Sequence, residues 1–310
     1  MDRTSMEVAE KHPLSGYALG PPWLFKGSAL YQLHLVKAET ARTFIPKEFK
    51  LVEAFGYTLG GFFLAHYDDS PAAMFDELVV IAGIVWNPPT SCAWAARVIV
   101  NSHEACRHGK KEVGLPSHVG IFCERSVETR EEPLNNKLNR FLNMIGINSN
   151  CCVPKECTKI EVFERRDSAV MSLCSISLPY VVPKSETNKK WMGPKIRMLL
   201  PSFSGRTQHN PHLLKYCCQI DCRIRAVNTA KISGPGPLDG ANSWDENEPG
   251  DENQLTELSA AEENEVDQCI SVLLSKPILA LQFNLLKMQV EAPTVVDPHS
   301  KKPEVGDSRT

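Results

Sequence analysis

No run of apolar residues in this sequence is long enough to cross a bilayer. The longest, Leu78 to Trp86, has nine residues, against the roughly 20 that a membrane-spanning helix needs. There is no GxGxxG, no Walker lysine loop and no GxSxG elbow, so dinucleotide, triphosphate and serine-hydrolase chemistry lack support. Basic residues vanish from one stretch. Ile232 to Ser275 contains no Lys or Arg, yet holds eleven of the 37 acidic residues. The remaining body is mildly basic, without the Lys/Arg clusters and interleaved aromatics of a nucleic-acid surface, and no nucleic-acid partner is expected. Met1 to Pro13 has no apolar core and carries Asp2, Glu7 and Glu10, unlike a secretory leader or a transit peptide. Eleven cysteines, an odd number, argue for free thiols in a reducing compartment. The expectation is an intracellular protein, in the cytoplasm or the chloroplast, with no transmembrane segment.

What is present reads as mostly β. Short β-type runs separated by Gly, Pro and Asn fall at Tyr31–Val36, Thr58–Tyr67, Glu77–Trp86, Trp94–Asn101, Val119–Phe122, Thr158–Glu164, Val170–Leu178, Lys195–Leu200, Tyr216–Ala226 and Ile278–Val290. Cys218, Ile220, Cys222 and Ile224 alternate with Gln219, Asp221, Arg223 and Arg225, the pattern of a strand with one buried face. Two helices are predicted. Lys37–Ile45 must stop before Pro46. Glu131–Ile145 opens on Glu131, Glu132 and Pro133, carries the apolar stripe Leu134, Leu138, Phe141, Leu142 and Ile145, and meets a stop at Gly146. Residues 14–291 form one expected domain. An acidic insertion at about 234–268, opening with Gly-Pro-Gly-Pro, and the tail 292–310 are too polar to bury much surface and are expected to be disordered.

Several clusters invite a metal reading and decline it. Cys151, Cys152 and Cys157 share CC-x4-C spacing with Cys217, Cys218 and Cys222. Adjacent strand residues point to opposite faces, so the second set cannot converge tetrahedrally. Buried structural thiols are the simpler account, and neither metal nor cofactor is expected. His209 and His212 flank Asn-Pro, which marks a solvated turn.

The stretch Gly109-Lys-Lys-Glu-Val-Gly-Leu-Pro-Ser-His118 resembles the acetoacetate decarboxylase family, in which a Gly leads to a Pro followed by two lysines. Arg42-Thr-Phe-Ile-Pro46, Phe75-Asp-Glu77 and Pro201-Ser-Phe-Ser-Gly205 resemble other family segments in the same order. The resemblance spans Leu30 to about Val290 and implies a closed, conical β-barrel with a few flanking helices, mostly β within the α+β class. Gly20-Pro-Pro-Trp-Leu-Phe-Lys26 and the run Gly83 to Trp94 are similar to one plant branch of this superfamily. That branch is associated with making the xanthophyll neoxanthin, upstream of abscisic acid.

In the decarboxylases the first lysine after the Pro forms an imine, its pKa lowered by desolvation and a neighbouring cation. Here those positions hold Ser117 and His118. Neither forms an imine, so the electron sink for decarboxylation is gone. The family's substrate-binding arginine would fall near Gly27, beside Lys26. Glu77 is the one catalytic position retained, and it also reads as a capping or solvated carboxylate at a strand start. Ser117 and His118 are unsuited to act as a nucleophile–base pair, because neighbours on a strand diverge. Lys110 and Lys111 read as surface lysines. Arg97 sits among Ala and Val, either buried and paired at the pocket or pointing outward. The expected pocket comprises Glu77, Arg97, Ser117 and His118, with Phe62 and Trp86 as aromatic walls. Three roles follow: binding an apolar or carbonyl ligand, such as a xanthophyll; Glu77 acid/base chemistry on a carbonyl substrate; or protein interaction through the acidic segment. Self-association into a homo-oligomer is compatible with each.

Overall fold

The computed structural model describes residues 16–129, 155–166, 169–178, 192–236 and 260–296. Seven strands close on themselves. These are β1 (Trp23–Lys37), β3 (Tyr57–Asp69), β4 (Phe75–Asn87), β5 (Thr90–Val100), β9 (Lys195–Gly205), β10 (Leu213–Val227) and β12 (Lys276–Val290). The ring runs β5-β4-β3-β1-β12-β10-β9 and returns to β5, where Ala93 and Trp94 pair in parallel with Ser202 and Phe203. A barrel of this kind leaves no open edge and an interior narrow enough for side chains or one small ligand.

A second sheet branches from the barrel. β6 (Ser117–Thr129) pairs in parallel with β5 over three residues only, Val98–Val100 against Ser117–Val119. β7 (Lys155–Arg166), β8 (Ala169–Leu178) and β11 (Lys231–Ser233) follow in antiparallel order. The predicted strands are all present, most of them longer than the sequence pattern suggested. β2 (Glu53–Ala54) and β13 (Thr294–Val295) are two-residue additions.

Strand alternation splits the apolar residues into two cores. One fills the barrel, with Phe63, Tyr67, Phe75, Val100, Ile220, Phe283 and Met288. The other lies outside the wall, where Phe62, Leu78, Val80 and Ile99 meet Val162, Leu173 and Ile176 of the second sheet. The helices α1 (Ala38–Phe44) and α3 (Ala260–Leu273) close this outer core.

Two expectations need correction. The acidic insertion does not run unstructured to residue 268, because α3 begins at Ala260. Val266, Cys269, Val272 and Leu273 recur at helical spacing and are buried against the barrel wall, which offsets the cost of ordering an acidic segment. The buried side chains of β1 hold it there. His34 Nδ1 reaches Val272 O at 3.4 Å, and Gln32 bonds both backbone groups of Ala230 and the His34 ring. The tail is likewise ordered at its start, since β13 pairs with Leu214 and Lys215 of β10. The predicted helix Glu131–Ile145, most of the acidic insertion and the rest of the tail lie outside the described residues.

The branch point is cross-linked by charge. Arg97 of β5 grips Glu164 of β7 in a fork, Nε–Oε2 2.8 Å and Nη2–Oε1 2.6 Å. Arg166 Nε at 2.7 Å and His118 Nδ1 at 3.1 Å share Oε1. Burial works to raise the Glu164 pKa, but the hydrogen bonds from His118 and Arg97 outweigh it and hold the carboxylate well below its usual range. Removing one partner of a buried pair strands the other, at a cost of about 3–5 kcal/mol. Glu164→Ala is therefore expected to lower the urea unfolding free energy by about that amount. A loss below about 1 kcal/mol would show that the cluster is not holding the two sheets together.

Candidate functional site

The barrel encloses a cavity of about 150 Å³. Its wall is aromatic and aliphatic, with Trp23, Phe25, Tyr31, Phe63, Tyr67, Phe75 and Met288 prominent. An engineered cavity of that size, about 150 Å³, takes a benzene-sized guest. Among the described residues no lysine or arginine lines the barrel cavity.

Glu77 and Ser117, both expected in the pocket, line it. Glu77 enters from β4, where it pairs with Ala65 on one side and Val100 on the other. Tyr67 donates its hydroxyl to Glu77 Oε2 at 2.7 Å. Desolvation raises the Glu77 carboxyl to about 6, and the Tyr67 bond partly offsets the rise. Ser117 follows a helical segment, α2 (His103–His108), and one π-helical turn, Gly109–Val113. That path ends at Pro116, whose carbonyl accepts from Val98 N. Gly109 leaves room for the Ser117 hydroxyl, since a Cβ there would lie 2.7 Å from Oγ and displace it.

Four expected pocket residues do not line the cavity. His118 follows Ser117 on the strand and so faces the opposite way, into the Glu164 cluster; the two never form a nucleophile–base pair. Burial holds its imidazole below the usual value, against the pull of Glu164. Arg97 is buried and paired, but in that same cluster. Phe62 is fully buried on the outer face of β3, edge-on to His34 at 5.8 Å; alternation gives the inner place to Phe63. Trp86 lies beyond the register shifts at Val80–Gly83 and is 44% exposed. Lys26 is exposed and paired with Asp69 at 2.6 Å, away from the cavity. Lys110 and Lys111 do not line it either. Among the described residues no His, Cys, Asp or Glu group could hold a metal ion. Cys218 lines the cavity as a protonated thiol, pushed up to about 12 by burial and by Glu77.

Sequence pattern held little sign of the polar groups that α2 and β1 bring to the same cavity. His108 stacks on Tyr17 with ring centroids 3.7 Å apart and meets Trp23 edge-on at 4.4 Å. Burial lowers His108 to about 4, so its ring is neutral at pH 7, despite the nearby charge of Glu104. Trp23 Nε1 and His108 Nε2 are buried without a hydrogen-bond partner among the described residues. Such groups carry a desolvation cost of about 1–3 kcal/mol each until something meets them. Tyr67 and Phe63 were legible in principle, because they share strand parity on β3. His108 was not, since it depends on how α2 packs back across the barrel.

The Glu77–Tyr67 pair gives a direct test. Tyr67→Phe removes the bond that favours the ionised carboxyl, so Glu77 is expected to titrate above about 6. Carboxyl ¹³C shifts of the labelled protein read this, and an unchanged or lower midpoint would refute the pairing.

No protein-family profile matches the chain. It is 56% identical over 297 residues to Protein NEOXANTHIN-DEFICIENT 1 of Oryza sativa subsp. japonica, covering 96% of both sequences. The protein of that name from Arabidopsis thaliana is 54% identical over 295 residues, covering 94% of this chain and 99% of the relative. Among solved structures, similar ones include the enduracididine biosynthesis enzyme MppR complexed with pyruvate, with TM-score 0.47, 11% identity and 95% of each chain covered. Another is acetoacetate decarboxylase from Legionella pneumophila, with TM-score 0.45, 10% identity, and 89% and 88% of the two chains covered. On the sequence identities and their coverage, this chain belongs to the NEOXANTHIN-DEFICIENT 1 family.

Proposed function

We propose that this protein serves neoxanthin biosynthesis as a non-decarboxylating barrel that binds a neutral, largely apolar, oxygen-bearing group. The pathway rests on the relatives' name. The ligand chemistry rests on one observation: the cavity holds a carboxyl and unpaired hydrogen-bonding groups but no cation. A keto-acid anion would be desolvated there without a counter-charge, which is costly. A neutral ketone or alcohol carries no such penalty. Its oxygen can accept from Trp23 Nε1–H, and His108, edge-on to Trp23, lines the same cavity. Among the described residues no lysine lines the wall, which leaves no amine there for an imine.

The volume limits the guest as well. A whole xanthophyll does not fit in about 150 Å³. One terminal ring, or a small cyclic ketone, is the right scale. Isophorone, a substituted cyclohexenone, is a suitable probe. It is expected to raise the unfolding temperature, while acetoacetate leaves it unchanged. Borohydride with a keto acid is expected to label no lysine. Below about pH 6 the Glu77 carboxyl is protonated and donates to the guest oxygen. Isophorone binding should therefore tighten as pH falls through 6, and Glu77→Gln should remove that dependence. Stabilisation by acetoacetate but not by isophorone would reverse the assignment.

A second reading is favoured by the same carboxyl. A group titrating near neutrality is well placed for general acid/base catalysis on a carbonyl-type substrate. Incubation with xanthophylls followed by product analysis separates the two. A product that disappears in Glu77→Gln marks an enzyme; retained binding with no product marks a carrier.

A further inference from the structure

One end of the barrel is capped by apolar side chains that face solvent. Tyr31 and Phe63 line the cavity. Strand alternation carries the same inward faces past them to Leu59 and Tyr57 on β3, and to Leu279 on β12, which pairs with Leu33. Leu59 is 43% exposed and Leu279 is 38% exposed. The β2–β3 turn extends this rim. Its tip, Phe55, stands fully in solvent with a positive φ of 53°. Trp86 is held beside the turn through Trp86 N→Lys50 O, and the neighbouring Val52 N bonds Ile84 O. Within the described residues these exposed apolar side chains sit on adjoining strands and the turn between two of them, a grouping that monomers seldom leave without a use.

Its border is basic. Lys37 pairs in register with Tyr57, Lys276 with Leu35, and Lys50 accepts from Trp86 through its carbonyl; all three side chains are exposed. Lys37 also reaches Glu39 at 3.5 Å. The nearby Glu53 is engaged bidentately by Arg42. Two occupants suit an apolar rim: a second copy of the chain or a lipid surface. A two-fold contact through this face would set its own lysines against themselves, which is unfavourable. An anionic bilayer satisfies both parts. Aromatic side chains settle at the headgroup level, and each lysine gains from the negative surface.

We infer that this end of the barrel docks on the surface of an anionic lipid bilayer, with Phe55 and Trp86 inserted and Lys37, Lys50 and Lys276 over the headgroups. No described helix is long and apolar enough to span the membrane, so the attachment is peripheral. The inference does not depend on what the cavity holds.

Flotation of the full chain with vesicles tests it. The protein is expected to float with phosphatidylcholine vesicles containing phosphatidylglycerol, less with phosphatidylcholine alone, and less again at high salt. Phe55→Ser with Trp86→Ser should weaken vesicle binding roughly tenfold or more, from the lost apolar burial. Both side chains are exposed, and an unchanged unfolding temperature checks that the fold is intact. Lys37→Glu with Lys276→Glu should remove the preference for phosphatidylglycerol. Failure to float, or flotation unaffected by Phe55→Ser with Trp86→Ser, would overturn the proposal. So would a vesicle-free dimer in sedimentation velocity that Phe55→Ser dissolves. Isophorone binding without vesicles should be the same in these variants, so the cavity assignment stands or falls separately.

Discussion

Arg97 and Glu164 join the second sheet to the barrel where the two branch apart. Among the described residues the backbone pairing at that branch spans three parallel pairs, Val98–Val100 with Ser117–Val119, and the apolar outer core packs the two sheets together beyond it. The ion cluster adds a side-chain bond across three strands, with Arg97 from β5, His118 from β6, and Glu164 and Arg166 from β7. Buried charges are costly unless every one is paired. Here Glu164 is met by three cationic or donor groups, and its depressed pKa records that match. The same joint sets the cavity wall. With His118 committed to Glu164, its strand neighbour Ser117 must face inward, and Gly109 leaves space for its hydroxyl.

The cavity is then defined by what burial does to its few polar groups. Glu77 rises to about 6 and His108 falls to about 4, both chiefly through desolvation. Near pH 7 the imidazole is neutral and the carboxyl is mostly ionised, becoming protonated as pH falls through about 6. Lys26 is paired with Asp69 and Arg97 with Glu164, and neither cation lines the cavity. The barrel end with exposed leucines and aromatics lies beyond the same inner wall at Tyr31 and Phe63, so an apolar surface and an apolar cavity share one axis of the fold.

Much of this architecture could be read from pattern. The alternation of Cys218, Ile220, Cys222 and Ile224 marked β10 correctly, and these residues do face the barrel interior. The Gly109–Pro116 segment located Ser117 on the cavity wall. Errors came where pattern was silent about partners. Residues 260–268 look too acidic to fold, yet four apolar positions between Val266 and Leu273 are buried against the barrel wall, where His34 of β1 reaches Val272 O. Phe62 and Phe63 are adjacent aromatics on one strand, and only the pairing register shows which of them faces inward.

The sequence by itself determined that Ser117 and His118 follow Pro116, so no amine stands at those positions to form an imine. It also determined the β-rich class, because period-two alternation is local and survives without knowledge of neighbours. Tertiary structure alone decided that Arg97 and His118 spend their charge and hydrogen bonds on Glu164, more than forty residues further along. It alone set Tyr67 against Glu77, and His108 against Trp23 and Tyr17. Those contacts are made between distant segments, and each pKa among them follows from burial, a property of the packed whole that no single stretch of chain possesses.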